Sequence, residues 1–150
     1  MDNLKRTQDW LEHYHDWKAF IQSANRLIKD YRSLLALEAA PETVKYGQRL
    51  TGGGPFDSQE ERATERREQM TKEVELLQAK VQTALDRTAA IDKAISRLVG
   101  PDRNIAKYRG IERKPWDLVS YYSNYSSDGC RAKYKKILGK LAIVIFGEGL

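Results

Sequence analysis

The sequence predicts an all-α protein: a long antiparallel helical hairpin of coiled-coil type, followed by a small C-terminal helix-turn-helix domain. Three observations predict it. Two long segments repeat apolar residues at alternating spacings of four and three, the pattern of a helix that buries one seam. Only four Pro and ten Gly interrupt 150 residues, of which 41% are hydrophobic and 31% charged, the balance of a folded chain rich in surface helix. Charge is unevenly divided: residues 1–100 carry 16 Lys and Arg against 16 Asp and Glu, and residues 101–150 carry 10 against 5, so the whole net charge of +5 belongs to the C-terminal third.

The first seam runs through Trp10, Tyr14, Trp17, Ile21, Ala24, Ile28, Tyr31 and Leu35. Phe20, Leu27 and Leu34, spaced by seven, widen it into a broad buried stripe on a helix expected from about Leu4 to Leu37. The stretch AAPETVKYGQRLTGGGPFD follows, where Pro41, Gly52 to Gly54 and Pro55 break the periodicity and mark a Gly-rich loop near residues 39–57. Ser58 with Glu61 forms a capping-box pattern that opens the second helix, and Gly100 with Pro101 closes it. Its seam is Met70, Val74, Leu77, Val81, Ala84, Thr88, Ile91, Ile95 and Leu98. At 1.5 Å per residue such a helix spans on the order of 60 Å. An antiparallel hairpin buries both seams together; a parallel pairing between two molecules is the alternative. The domains expected are therefore residues 1–100, the hairpin, and residues 101–150, a basic domain.

After Pro101 the heptads stop and Tyr108, Trp116, Tyr121, Tyr122, Tyr125 and Tyr134 gather among basic residues. Pro115 fits the first turn of a short helix that turns Trp116, Val119 and Leu118 inward. A turn is expected at Ser123 to Tyr125, and then Ser126 or Ser127 caps a longer helix. On that helix Cys130, Tyr134, Ile137, Leu138 and Leu141 share one side, with Asp128, Ala132, Lys135 and Gly139 opposite. A short helix, a tight turn and a second helix with a basic outer face are the parts of a helix-turn-helix, whose second helix enters the major groove N-terminus first. On that geometry Ser127, Asp128, Arg131 and Lys135 reach base edges in double-stranded DNA, while Ser126, Lys133, Lys136, Arg113 and Lys114 hold phosphates.

The residues Trp116 and Val119, then Tyr125 and Ser126, then the run Ile137 to Leu141 (ILGKL) resemble the helix-turn-helix of sigma-factor region four. The layout from about Leu50 to Leu141 is similar to phage-encoded, sigma-region-four-like transcription regulators, the ArpU-like and RinA-like group of Gram-positive prophages. That group combines a helical N-terminal half with a C-terminal helix-turn-helix. The pattern departs at IAKYRGIER, where Tyr108 precedes Arg109 and the acidic Glu112 is displaced. The resemblance implies a sequence-specific DNA-binding phage regulator acting in the bacterial host cytoplasm, in contact with host RNA polymerase or another host protein. A homodimer is the expected assembly, since one motif offers few base contacts, specific regulators commonly pair two on half-sites about one helical turn apart, and so wide a stripe leaves apolar surface to spare. The alternative is a monomer in which Phe20, Leu27 and Leu34 fold back onto the C-terminal domain at Ile143 to Phe146. The alternative is a phage adaptor or inhibitor of host machinery that uses the hairpin and keeps the sigma-like fold without reading DNA.

Other chemistry is not expected. The lone Cys130 excludes an intrachain disulfide and a thiolate zinc site and suits a reducing compartment. His13 and His15 stand two apart on a helix and so face different directions, GGGP lacks the ending of a phosphate loop, and no nucleophile and base pair is visible. Neither an enzyme nor a cofactor is expected, nor a metal site. The opening residues MDNLKRTQDW lack an apolar leader and no run approaches eighteen apolar residues, so no membrane association is expected. The tail AIVIFGEGL is read as closing the core of the small domain at Ile143 to Phe146, or as a docking edge.

Overall fold

The structure, a computed structural model, describes residues 2–38 and 56–147. Among them are six α-helices, one π-helical turn and no strand: α1 (Asn3–Glu12), α2 (Tyr14–Glu38), α3 (Phe56–Ser96), α4 (Gly100–Ile105), the π turn Ala106–Ile111, α5 (Trp116–Ser123) and α6 (Ser127–Phe146). The protein is all-α. The Gly-rich stretch expected at 39–57 lies outside the described residues except at its end, where Phe56 already opens α3.

Several boundaries differ from the sequence expectation for local reasons. The first helix is interrupted at His13, whose N–H bonds back to Asp9 and Trp10 carbonyls, so the segment from Leu4 to Leu37 is two helices. Asp2 caps α1, its Oδ1 accepting from the Leu4 and Lys5 amides at 2.7 and 3.2 Å. Helix α3 begins two residues before Ser58 and ends at Ser96, four residues short of Gly100. Gly100 and Pro101 do not close it; they open α4, where the missing N–H of proline costs nothing because first-turn amides have no helical partner. The exposed carbonyls at the end of α3 are met by Arg103, whose Nη2 donates to Ser96 and Leu98 oxygens at 3.1 and 3.0 Å.

The chain divides into two compact units: Met1–Phe20 with Thr83–Leu150, and Ile21–Gln82. This differs from a cut at Gly100. In the first unit Leu11 of α1 is fully buried with Ile91, Ala94 and Leu98 of the chain before Gly100 and with Ile105, Val119, Cys130, Ile137 and Leu141 after it. A fifty-residue segment with short helices has little apolar surface to bury by itself, and α1 supplies the missing side. Gly110 in the π turn permits the approach: a Cβ there would lie 2.7 Å from Leu11 Cδ1. Trp10 meets Phe146 edge-on at 4.9 Å and Arg6 lies 4.0 Å over the same ring, so the tail of α6 is held by α1. Ile145 packs against the core as expected, whereas Ile143 and Val144 are exposed. Arg87 of α3 sits about 5 Å from both Trp10 and Trp17, and Tyr14 donates to Asp92 at 2.7 Å.

In the second unit the parts of α2 and α3 bury Ala24, Ile28, Val74 and Val81, all seam positions. Arg67 Nε lies 3.6 Å from Glu38 Oε2. Leu27 and Leu34 do not widen the buried stripe: they are 47% and 48% exposed, because one partner helix covers only the seam. Tyr31, Leu34, Leu37 and Met70 line an open groove of about 590 Å³, rimmed by Glu38, Arg66, Gln69 and Glu73. Among the described residues no helix is long and apolar enough to cross a membrane.

Candidate nucleic-acid interface

The candidate interface lies on α5, its turn and α6. Pro115, extended at ψ 152°, caps the start of α5 and presents Trp116 and Val119 to the core; Val119 is fully buried. Leu118 is not turned inward: it is 44% exposed, since the buried arc of so short a helix is filled by Trp116, Val119 and Ser123. Asn124 ends α5 in the left-handed conformation, φ 65°, a region Asn tolerates better than most residues, and its N–H bonds to the Ser120 carbonyl. Ser120 Oγ donates to the Tyr125 carbonyl, which closes the turn from inside. Ser126 then caps α6, accepting from the Gly129 amide at 3.0 Å, so of the two serines offered by the sequence Ser126 is the cap.

Gly129 has a structural reason despite its cost in a helix. A Cβ there would stand 3.0 Å from the cap oxygen of Ser126. Cys130, Tyr134, Ile137, Leu138 and Leu141 are all buried, joined by Ala142, as the spacing predicts. Ser123 and Cys130 pair inside the core at 3.1 Å.

The exposed arc of α6 carries Asp128, Arg131, Ala132, Lys135 and Lys136. Gly139, assigned to the same arc, is half-buried, with Leu4 of α1 within reach of it, so the basic exposed arc is confined to the N-terminal half of the helix and Lys140, Ile143 and Val144 are the exposed residues beyond it. The nine residues expected to meet DNA are not equally free. Lys135, Lys136 and Lys114 are exposed. Arg131 Nη1 donates to Asp128 Oδ1 at 3.2 Å, and its guanidinium lies 5.9 Å from the Trp116 ring. Ser127 is half-buried and donates to Asp117 at 3.1 Å, which ties the start of α6 back to α5. Ser126 is exposed, and its Oγ accepts from the Gly129 amide at the cap while its O–H stays a donor. Lys133 lies along Tyr125, with Nζ 4.3 Å from the ring. Arg113 has a left-handed backbone, φ 57°, and its Nη2 stands 3.3 Å from Glu12 Oε1.

Sequence reasoning missed Arg109. The π turn aims its guanidinium 4.4 Å over the Trp116 ring, and Nη1 donates to the Lys114 carbonyl at 3.0 Å. Arg109 and Arg131 thus converge on one indole, a cationic surface with a planar apolar floor. Only a change of helical repeat at Ala106–Ile111 brings Arg109 there, and no heptad or charge pattern signals a π turn. Glu12 and Gln8 of α1 also border this region, Gln8 accepting from the buried Tyr134 hydroxyl. Burial above all holds that phenol up at about 12, with Arg109 and Arg113 drawing it down and Glu12 adding to the rise.

No protein-family model, no curated protein and no solved structure matches this chain. The two histidines have separate partners, His13 Nδ1 at the Asp9 carbonyl and His15 Nε2 at Glu112 Oε1. Among the described residues no group of three or more His, Cys, Asp or Glu side chains is placed to hold a metal ion.

Proposed function

We propose that the chain is a phage transcription regulator that binds double-stranded DNA by setting the N-terminal half of α6 in the major groove. One observation carries the reading: α6 follows α5 through a three-residue turn, buries one face completely, and leaves Asp128, Arg131, Lys135 and Lys136 open at its N-terminal end. Arg131 and Lys135 then face base edges, while Lys136, Lys114 and Arg109 suit phosphates. The resemblance to sigma-region-four-like regulators supports the same role, with host RNA polymerase as a further partner and the bacterial cytoplasm as its place of action. On this reading no bound cofactor and no catalytic step is involved.

Gel retardation with the double variant Arg131→Ala, Lys135→Ala tests it. Specific retardation is expected to disappear with the helical circular dichroism unchanged, because both side chains are exposed. Wild-type affinity should fall steeply with salt, as it does for any protein that displaces counterions from several phosphates. Undiminished binding by the double variant sinks the assignment.

A second reading is favoured by a different observation, the open leucines of the second unit. Leu27, Leu34 and Leu37 are exposed, and the groove beside Leu34 suits an apolar helix of another protein. On that reading the hairpin of α2 and α3 docks a host protein and the basic domain reads no DNA. A wild-type chain that binds no duplex at low salt, and binds purified host RNA polymerase through Leu34 and Leu37, decides for it.

A further inference from the structure

Asp128 is an anomaly on a surface that would face a polyanion. Its side chain is 93% exposed, it belongs to the arc of Arg131, Lys135 and Lys136, and a carboxylate there opposes phosphate by simple repulsion. It is not consumed by the core, and the capping of α6 is already done by Ser126. A favourable interaction with the helix dipole explains tolerance of an acid in the first turn. It does not explain the contact Asp128 makes. Its Oδ1 accepts from Arg131 Nη1 at 3.2 Å, one turn along the same face, and the Arg131 guanidinium reaches 5.9 Å from the Trp116 ring. Trp116 is in turn fixed by the core and meets Tyr134 edge-on at 5.6 Å. Arg131 therefore lies between the carboxylate and an anchored indole, and each contact favours one of the many rotamers open to an exposed arginine.

We infer that Asp128 is a specificity-determining residue of this surface: it orients Arg131 for bidentate bonding to guanine O6 and N7, and its second oxygen accepts from the exocyclic amine of a neighbouring cytosine or adenine. The inference rests on the DNA-binding reading above. Arginine donates to the two acceptors of guanine in the major groove, and a carboxylate accepts only from an amine, which cytosine and adenine present there. A carboxylate among cations also weakens binding to arbitrary DNA, so the same residue raises discrimination while lowering total affinity.

The experiment enriches a randomised pool of 20-base-pair duplexes with the full-length wild-type chain, Asp128→Ala and Arg131→Ala, plus the double variant. Each is then titrated against the enriched duplex and against unselected duplex. Asp128→Ala is expected to bind unselected duplex a few-fold more tightly and to lose about tenfold in the ratio of selected to unselected affinity, with information lost at one or two adjacent positions. In the Arg131→Ala background the substitution should change the preference at the guanine position no further. A purely structural role at the helix start would lower both affinities together and leave the base preferences in place. Identical enriched motifs and ratios for wild type and Asp128→Ala overturn this inference alone. A wild-type chain that enriches nothing and retains no duplex at low salt overturns the DNA-binding reading, and this inference with it.

Discussion

Single residues in this protein often have reasons that lie far away in sequence. Gly110 is small because Leu11, ninety-nine positions earlier, occupies the space of its Cβ. Tyr134 is the residue whose chemistry the fold alters most clearly. A free tyrosine ionises near pH 10, and burial holds Tyr134 up at about 12, so the folded chain keeps this proton more tightly than the unfolded one. The stabilisation is complete below pH 10 and is lost as pH rises from 10 to 12. Tyr14 acts in the same direction, its phenol raised to about 12 by burial and by its bond to Asp92. Thermal midpoints measured from pH 9 to 12 should therefore fall more steeply for wild type than for Tyr134→Phe, which has no proton to lose at that position. Parallel curves would show that Tyr134 is not protected.

At the level of elements, the buried positions of α3 and α6 were legible because period and burial coincide over many turns. Met70, Val74, Leu77, Val81, Ala84, Thr88, Ile91, Ile95 and Leu98 are all buried or half-buried, and so is the apolar side of α6. Helix ends were less legible. Gly and Pro mark a break in either direction, and at Gly100–Pro101 the break starts α4 because Arg103, not glycine, satisfies the carbonyls of α3. The break at His13 carries no glycine or proline. Ser126 is the one cap on the candidate interface made by a side chain, so Ser126→Ala should cost about 1 kcal/mol in denaturant unfolding. It should also fray the first turn of α6, weakening specific DNA binding more than its own hydroxyl would account for. A variant as stable as wild type would show that the Ser126 bond is replaced by water.

For the whole molecule the decisive fact is that the first helix belongs to the core of the last fifty residues. Leu11 is fully buried among Ile105, Val119 and Leu141, and Ile91, Ala94 and Leu98 share that core. Residues 101–150 expressed alone should therefore give a weakly cooperative unfolding transition and little duplex binding, whereas a chain that keeps both α1 and the end of α3 should behave like wild type. Cooperative folding of the short fragment would contradict the packing of α1. The exposed leucines at 27 and 34, which a single partner helix leaves uncovered, are the surface on which we propose that two chains pair. Light scattering at micromolar concentration is expected to give the mass of two chains, in keeping with two motifs on paired half-sites. A monomer with and without DNA would remove the pairing argument and favour the adaptor reading.

The sequence by itself determined the all-helical class, the seams, the turn between α5 and α6 and the buried side of α6. Each is a local or periodic property, written in residues close enough to share one helix. Tertiary structure decided what no period encodes. It placed α1 against α6, set Arg109 over Trp116 through a π turn, left Leu27 and Leu34 uncovered, and drew Arg131 to Trp116. Apolar spacing tells a helix which face to bury, but the hydrophobic effect is non-directional and accepts any complementary surface. Which surface is met depends on the shapes of all the elements at once, and only the folded chain brings those together.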